Sequence, residues 1–207
     1  MYIVCSDLEG IYIPEIWINV SNHTGIEELK LTTRDISDYN VLMKGRLSLL
    51  RQHNIKLQDI QKVISELRPL PGARDFLGWL RSKMQLIVVS DTFLEFAGPL
   101  MEKLDRHTLL CHHLTTDKEG NIVDYNLRQP DAKRMMVEAL QSLNYRVIAI
   151  GDSYNDISML RKSDRAILFN PPPNVAEENS DLTVATSYDE LKKILMKITE
   201  SENQDHQ

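Results

Sequence analysis

Two carboxylates one residue apart follow the first apolar segment of the chain. The run Tyr2 to Ser6 is followed directly by Asp7, Leu8 and Glu9, and then by Gly10. A buried strand that ends in this way places both acids beyond the carboxyl end of a parallel sheet, where such folds bind ligands. An acid after a strand can also simply cap the next helix or turn the chain. The ends of the other strands must decide between these two interpretations.

Two further predicted strands also end in polar side chains. The strands cover residues 85–89 and 146–150, and they run into Ser90-Asp91-Thr92 and Gly151-Asp152-Ser153-Tyr154-Asn155-Asp156. Crossover connections bring the carboxyl ends of parallel strands to one edge, so these groups can converge with the first two acids. Carboxylates packed together repel each other unless a cation neutralises them. The sequence therefore predicts a site for a hard divalent metal, for which Mg²⁺ fits best.

Phosphoryl chemistry matches this set of residues. A carboxylate beside a divalent metal can attack phosphorus and form an aspartyl-phosphate. The transferred phosphoryl group needs hydrogen-bond donors that are already in place. Ser90, at a strand end before a helix, offers a hydroxyl and neighbouring N–H groups, and Lys133 on a later predicted helix offers a positive charge. No Gly-Lys-Ser/Thr phosphate-binding loop occurs, which argues against nucleoside-triphosphate chemistry of that type.

The elements that must position these residues predict an α/β fold with a Rossmann-like parallel sheet. From Pro14 to Pro69 the periodicity is helical, with a turn and helix start at residues 32–35 (Thr-Thr-Arg-Asp) and no strand pattern. We expect an α/β core at residues 1–13 and 70–207 and a small all-helical cap at residues 14–69, inserted after the first strand. A β-hairpin is predicted within residues 108–127, and we expect its His112 and His113 to be surface or packing residues rather than metal ligands.

Composition narrows the class of partners and the compartment. The chain has 207 residues, 42% of them hydrophobic, with a formal net charge of -6. An acidic surface repels phosphate backbones and anionic lipid, which argues against nucleic acid and membranes as partners. No signal-like segment and no apolar run of the ~20 residues that a membrane span needs is present, so we expect a cytoplasmic protein. Cys5 and Cys111 lie in apolar runs and are expected to be buried without a chemical role.

The ordered motifs resemble those of the haloacid dehalogenase superfamily of phosphohydrolases over nearly the whole chain. The family pattern is Asp-x-Asp, Ser or Thr, a helix Lys and Gly-Asp-x-x-x-Asp, represented here by Asp7-Leu8-Glu9, Ser90, Lys133 and residues 151–156. The resemblance implies that Asp7 is the nucleophile and that Glu9 protonates the leaving group and then activates water. It also implies that Mg²⁺ is held by the Asp7 carboxylate, the Glu9 carbonyl and Asp152, with Asp156 supporting that site from behind.

The chain departs from this pattern at two positions. Glu9 stands where the family has a second aspartate, and Ile11 stands where a threonine is common. Glutamate remains a competent acid and base. Its longer arm changes where the proton is delivered, and with it the hydroxyl group that the site accepts.

The segment after the first motif is similar to the cap of the phosphoserine phosphatase branch. In that branch a glutamate binds the substrate ammonium and a cap arginine binds its carboxylate, which here implies Glu15 and Arg46. A bidentate guanidinium suits a carboxylate, and a carboxylate suits an amine. Asp91 and Asn155, in the motifs of the second and third strands, are expected as further substrate contacts together with Ser90 and Lys133.

More narrowly, the motifs resemble those of bifunctional phosphoserine phosphatase/homoserine phosphotransferases. They are Asp-Leu-Glu-Gly with Pro-Glu-Ile-Trp, Thr-Thr-Arg-Asp, Ser-Asp-Thr-Phe and Gly-Asp-Ser-Tyr-Asn-Asp. The resemblance implies Mg²⁺-dependent hydrolysis of O-phospho-L-serine and transfer of the phosphoryl group to homoserine, with roles in serine and threonine biosynthesis. Hydrolysis of another small ester, such as a nucleoside monophosphate or sugar phosphate, is an alternative, and a non-catalytic phospho-ligand-binding protein is another. The sequence leaves open whether the protein is a monomer or a homodimer.

Overall fold

Seven strands form one sheet in the computed structural model, which describes residues 1–33, 35–36 and 38–205. In chain order the strands are β1 (Tyr2–Ser6), β2 (Gln85–Phe93), β3 (Leu109–Thr116), β4 (Ile122–Asn126), β5 (Arg146–Gly151), β6 (Arg165–Phe169) and β7 (Thr183–Ala185). Their order across the sheet is β4-β3-β2-β1-β5-β6-β7. Only the β3–β4 hairpin is antiparallel among the strand pairs of the described residues.

Helices connect these strands and cover both faces of the sheet. They are α1 (Ile16–Thr24), α2 (Tyr39–Gln52), α3 (Leu57–Glu66), α4 (Ala73–Lys83), α5 (Leu94–Lys103), α6 (Ala132–Ser142), α7 (Ile157–Lys162), α8 (Pro173–Glu178) and α9 (Tyr188–Asp205). The α/β fold with a Rossmann-like parallel sheet is therefore confirmed, as are the predicted strands and the hairpin.

Side chains of β1, β2, β5 and β6 alternate between two buried clusters, one on each face of the sheet. On β1, Tyr2 and Val4 belong to one cluster, and Ile3 and Cys5 belong to the other. Because successive strand side chains point to opposite faces, a strand with helices on both sides must be apolar throughout. This requirement explains why β1, β2 and β5 are readable as continuous apolar runs.

The helices between β1 and α4 share the larger of these clusters with the sheet. Leu29, Met43 and Ile60 from this segment are buried in the same cluster as Phe96 of α5. Lys103 of α5 also donates hydrogen bonds to the carbonyls at the carboxyl end of α3, at 2.5 and 2.6 Å. A cation that satisfies the last carbonyls of a helix stabilises that helix end. The division into a core (1–13 and 70–207) and a cap (14–69) stays a prediction.

Several element boundaries differ from the prediction. Helix α1 begins at Ile16 and not near Pro14, and α2 begins at Tyr39 after Asp38, whose side chain accepts two backbone hydrogen bonds. The N–H groups of Asp35 and Ile36 donate to the carbonyl of Thr32, but no helix starts in the described residues of this motif, and its Arg34 lies outside the described residues. The sequence predicts a closing helix that ends near Ile198 and a frayed polar tail from Thr199, whereas helix α9 continues to Asp205.

The chain shows no helix, within the described ranges, with the length and hydropathy to cross a bilayer. Both cysteines are buried, as predicted, and neither is in a disulfide. Burial raises the pKa of Cys5 to about 12. A thiol with such a pKa stays protonated at neutral pH and is a poor nucleophile.

Candidate active site

A cleft of about 520 Å³ opens above the carboxyl ends of β1, β2 and β5. Strand β1 pairs with β2 on one side and with β5 on the other, so chain connectivity reverses direction at this point of the sheet. Open α/β sheets bind ligands at such a switch point. The structure brings nine of the predicted site residues to the cleft wall: Asp7, Glu9, Glu15, Arg46, Ser90, Asp91, Lys133, Asp152 and Asn155.

Asp7 lies at the base of the cleft and is 4% exposed. Its backbone N–H donates to the carbonyl of Ile150 at 2.9 Å, which fixes the residue between β1 and β5. Its carboxylate oxygen Oδ1 is buried and has no hydrogen bond of good geometry among the described residues, although the Lys133 ammonium lies 3.1 Å away as a counter-ion. A buried carboxylate in this position has capacity left for a ligand or ion.

Two more carboxylates of the β5 loop share this position. Oxygen atoms of Asp7, Asp152 and Asp156 all lie within 4.8 Å of one another. Burial, followed by the negative charge of Asp156, raises the pKa of Asp7 well above its usual range. Like charges at this distance disfavour ionisation, and a divalent cation removes that penalty. A buried set of carboxylate oxygens at this spacing fits such a cation.

Asp156 differs from its two neighbours because its oxygens are already engaged by the protein. It is fully buried, and Oδ2 accepts hydrogen bonds from the backbone N–H groups of Asp152 and Ser153, at 2.9 and 3.2 Å. Its Oδ1 accepts a hydrogen bond from Lys133 at 2.8 Å. Asp156 therefore orients the loop and the lysine, in keeping with the supporting role predicted for it.

Lys133 of α6 is the cation of the cleft floor. Its Nζ lies 3.1 Å from Asp7 Oδ1, 2.8 Å from Asp156 Oδ1 and 3.5 Å from Asp91 Oδ2. Burial alone would lower the pKa of Lys133, but the charges of Asp156, Asp7 and Asp91 together raise it well above its usual range. The ammonium thus stays charged at every physiological pH and is available to a bound anion.

Gly10 and Gly151 leave room for the acidic cluster. A Cβ on Gly10, whose φ is +73°, would lie 2.2 Å from Asp152 Oδ2, and a Cβ on Gly151 would lie 2.4 Å from the Cβ of Asp156. Neither distance is compatible with a real carbon atom. Gly10, the glycine of the Asp-Leu-Glu-Gly motif, therefore allows Asp152 to approach Asp7.

We expect Gly10→Ala to weaken divalent-cation binding by roughly tenfold or more, because the new methyl group must displace the Asp152 carboxylate. Isothermal calorimetry with Mn²⁺ measures the change. Gly25→Ala is a matched control, since Gly25 has the same φ of +73° but nothing within 4 Å of its added Cβ. Equal loss of affinity in the two variants would mean that backbone strain, and not the approach of Asp152, is responsible.

Ser90, Asp91 and Asn155 form the wall next to Lys133. Ser90 is 2% exposed and its Oγ accepts the N–H of Thr92 at 3.2 Å. Asn155 Nδ2 donates to Asp91 Oδ2 at 3.0 Å. Burial would raise the pKa of Asp91, but the charge of Lys133 and a hydrogen bond from His112 lower it below its usual range. Asp91 is thus a permanent anion that holds Asn155 and Lys133 in place.

His112 is a buried packing residue, as expected, and it also makes polar contacts in this wall that the sequence does not predict. It is 3% exposed and lines the cleft, with Nε2 3.5 Å from Asp91 Oδ1. Its Nδ1 accepts the backbone N–H of Arg128 at 3.1 Å, so the proton of a neutral ring lies on Nε2 and faces Asp91. Its partners are distant in sequence, which is why a pattern of neighbouring residues does not reveal this arrangement.

Glu9, Glu15 and Arg46 form the opposite end of the cleft. Glu9 Oε2 accepts the backbone N–H of Ile16 at 2.8 Å, so its side chain reaches the first turn of α1. Burial, and then the nearby charge of Glu15, raises the pKa of Glu9 to about 8. A helix that begins near Pro14 would place Glu15 in its first turn. In the structure Glu15 immediately precedes α1.

Arg46 is a buried cation without a carboxylate partner among the described residues. It is 7% exposed, and its Nη2 donates to the carbonyl of Leu31 at 2.7 Å. Burial lowers its pKa to about 10, so the guanidinium is still charged at neutral pH. The charges of Glu9 and Glu15 act on Arg46, but neither carboxylate forms an ion pair with it among the described contacts. An anionic ligand would provide such a direct contact for the buried guanidinium. The expected carboxylate contact of Arg46 is compatible with this geometry.

Trp17 and Tyr39 also line the cleft and are absent from the residues selected on sequence. The Tyr39 hydroxyl donates to the carbonyl of Asp91 at 3.2 Å. The guanidinium carbon of Arg46 lies 4.6 Å from the centroid of the Trp17 ring. Both aromatic residues occupy helical positions, where such side chains normally pack in a core. Trp17 does lie in the quoted Pro-Glu-Ile-Trp motif, which is the available signal.

The sheet order, the acidic cluster and the lysine beside it define a hydrolase of the phosphoryl-transfer type, and the chain belongs to the haloacid dehalogenase-like hydrolases. The model of that family matches residues 11–164. A phosphoserine phosphatase of Pseudomonas syringae pv. tomato is 53% identical over 97% of this chain and 84% of its own length. The phosphoserine phosphatase ThrH of Pseudomonas aeruginosa is 52% identical over 95% of this chain and 96% of its own length.

The fold comparison agrees with the sequence comparison. A crystal structure of a phosphoserine phosphatase in its apo form superposes with a TM-score of 0.75, at 22% identity, over 94% of this chain and 97% of that one. At that identity the likeness concerns the fold alone. The predicted family is confirmed, while the roles of the individual site residues stay predictions.

Proposed function

We propose that this protein hydrolyses O-phospho-L-serine to L-serine and phosphate through an aspartyl-phosphate on Asp7. The supporting observation is a single cleft. One end has groups suited to a phosphate, and the other end has groups suited to the ammonium and carboxylate of an amino acid. The first end has Asp7 beside Lys133, and the second has the carboxylate of Glu15 and the guanidinium of Arg46, whose Nε has no hydrogen-bond partner among the described residues. Relatives named phosphoserine phosphatase, more than half identical to this chain, support the same substrate.

The acidic cluster would hold Mg²⁺, through the carboxylates of Asp7 and Asp152 and the backbone carbonyl of Glu9. Bound there, the ion would supply positive charge that offsets the negative charge of the phosphate. Asp156 keeps its place behind this set through the two backbone hydrogen bonds that it accepts.

The first step breaks the bond between phosphorus and the serine oxygen. A carboxylate oxygen of Asp7 attacks phosphorus, while Lys133 and the groups at Ser90 stabilise the charge on the phosphoryl oxygens. Glu9 transfers its proton to the departing serine oxygen, which leaves as a hydroxyl. Because the pKa of Glu9 is about 8, the acid is protonated at neutral pH.

The second step regenerates Asp7. Glu9, now a carboxylate, takes a proton from water as the water oxygen attacks phosphorus, and the bond from Asp7 to phosphorus breaks. Homoserine can replace water, because its ammonium and carboxylate can occupy the groups that serine has left. We therefore propose phosphoryl transfer to homoserine as a second activity. The cleft of about 520 Å³ has room for a homoserine molecule beside the phosphorylated Asp7.

The direct experiment is incubation with phosphoserine and Mg²⁺, with and without homoserine, following inorganic phosphate and phosphohomoserine. Phosphate release that is specific to phosphoserine supports the proposal. Faster release from a nucleoside monophosphate or sugar phosphate would identify a different ester as the substrate. No release from any of these esters would favour a non-catalytic phospho-ligand-binding protein.

Charge reversal at Arg46 tests the carboxylate contact. We expect Arg46→Glu to raise the apparent KM for phosphoserine by about 100-fold, since an attractive ion pair becomes a repulsive one. Hydrolysis of an aryl phosphate, which has no carboxylate, should change little. Steady-state kinetics with both substrates provide the measurement, and an equal loss on both would contradict the assignment.

The pH dependence tests Glu9. Its raised pKa means that the acid is protonated below about pH 8 and ionised above it. We therefore expect kcat/KM for phosphoserine to fall as pH rises through about 8, because the ionised group cannot protonate the leaving oxygen. An aryl phosphate, whose leaving group needs no proton, should lack this decline, and Glu9→Gln should remove it from the small residual activity on phosphoserine.

A further inference from the structure

Trp17 lies against the guanidinium of Arg46 in the cleft. The carbon at the centre of the guanidinium is 4.6 Å from the centroid of the indole ring. A cation over the face of a tryptophan ring is attracted by the ring's negative face, more strongly where water is excluded. Arg46 is 7% exposed, so this contact is made in a largely desolvated place.

The other contacts of Arg46 do not use every donor of the guanidinium. Nη2 donates to the carbonyl of Leu31 at 2.7 Å, and Nη1 lies 3.7 Å from the sulfur of Met43. Nε is buried and has no hydrogen-bond partner among the described residues. The group therefore keeps donor capacity for an anion while it lies against the ring of Trp17.

The indole ring is itself held by a contact with the buried core. Phe96 of α5 meets it edge to face, with 5.6 Å between the ring centroids. Phe96 is fully buried and packs edge to face on Phe93 of β2 at the same separation. The orientation of Arg46 on α2 is therefore linked through Trp17 of α1 to the core beneath the sheet edge.

We propose that Trp17 is a positioning residue that sets the affinity of the cleft for the substrate carboxylate by fixing the plane of the Arg46 guanidinium. A freely rotating arginine loses side-chain entropy when it binds a carboxylate, whereas one already held flat loses less. Bidentate recognition also requires a defined plane. The inference rests on the proposed function, because it assumes a substrate with a carboxylate.

The test compares phosphoserine with phosphoethanolamine, which has the same phosphate and ammonium but no carboxylate. We expect Trp17→Leu to raise KM for phosphoserine by about tenfold with kcat nearly unchanged. kcat/KM for phosphoethanolamine should stay the same. Trp17→Phe, which restores an aromatic face, should recover most of the affinity and also decides the matter if the leucine variant does not fold.

A double-mutant cycle separates positioning from general damage to the fold. In an Arg46→Ala background, Trp17→Leu should have no further effect on KM for phosphoserine, because the group that it positions is gone. Trp79→Leu is the matched control. Trp79 is also half-buried, stacks on Phe76 and has Lys192 over its ring at 5.9 Å, but it lies on α4 away from the cleft. Trp79→Leu should lower the stability of the protein and leave the ratio of KM for phosphoserine to KM for phosphoethanolamine unchanged.

The outcomes are distinguishable. Absence of phosphoserine hydrolysis by the wild type would overturn the proposed function, and this inference with it. Hydrolysis by the wild type combined with equal losses on both substrates in Trp17→Leu would overturn the inference alone. An additive effect in the Arg46→Ala background would do the same.

Discussion

Asp7→Asn is expected to reduce phosphate release from phosphoserine by at least about 10⁴-fold, because the amide cannot form the covalent intermediate. The substitution is nearly isosteric and leaves the backbone bond from Asp7 to Ile150 in place. Steady-state kinetics measure the loss. Acid quenching during turnover should trap labelled phosphate on the wild-type protein and none on the variant. A variant that keeps its activity would exclude Asp7 as the nucleophile.

The same substitution should stabilise the metal-free fold. Burial and the charge of Asp156 raise the pKa of Asp7, so at neutral pH its ionised form costs stability that is regained only below the raised pKa. Asparagine removes this cost. We expect the melting temperature of Asp7→Asn to exceed that of the wild type in EDTA, and this advantage to shrink or reverse with Mg²⁺, which binds the wild type better. A lower melting temperature in EDTA would indicate a structural role for the carboxylate instead.

The strands and the acidic edge could be predicted because their causes are local. A strand between two layers of helices must be apolar along its whole length, and the polar residue that ends it is therefore visible in the sequence. β1 and β5 end in this way, whereas β2 continues to Phe93 and its polar residues Ser90 to Thr92 lie where the register with β3 shifts. Parallel topology then brings Asp7, Ser90 and Asp152 together without further information.

The start of α1 could not be predicted, because it depends on a side chain seven residues away. The N–H of Ile16 is satisfied by the carboxylate of Glu9, and an aspartate would be one methylene shorter. Helix starts are usually read from a capping residue immediately before the helix, and here no side chain at Glu15 supplies that bond. The departure from the family pattern at Glu9 thus also affects the helix that carries Trp17.

The environments of His112 and Trp17 could not be predicted from the sequence for a similar reason. His112 is defined by Asp91 and by the N–H of Arg128, and Trp17 by Arg46 and Phe96. Each of these contacts joins residues from different elements. Periodicity reports which face of an element is buried but not which neighbour it meets. Three prolines follow β6 at residues 171–173, and from the sequence they predict only the end of a strand. In the structure the third of them, Pro173, begins the short helix α8.

Lys133→Met is expected to be the most damaging substitution to the fold of those in the cleft, costing roughly 3–5 kcal/mol of unfolding free energy at neutral pH. It leaves Asp7, Asp91 and Asp156 without the ammonium that lies within 3.5 Å of all three. kcat for phosphoserine should fall by about 10² to 10³-fold, since the phosphoryl oxygens lose a fixed positive charge. Denaturant unfolding and steady-state kinetics measure the two effects.

The loss of stability in Lys133→Met should depend on pH in a defined direction. Lys133 lowers the pKa of Asp7, so removing it raises that pKa further. The penalty is present while the carboxylates are ionised and is relieved as they are protonated, so the difference from the wild type should shrink as pH falls. Lys30→Met is the matched surface control, because Lys30 pairs with Glu27 at 2.8 Å where both side chains are exposed, and it should cost less than about 1 kcal/mol at any pH. A pH-independent loss in Lys133→Met would instead indicate that its packing, and not its charge, holds the cleft floor together.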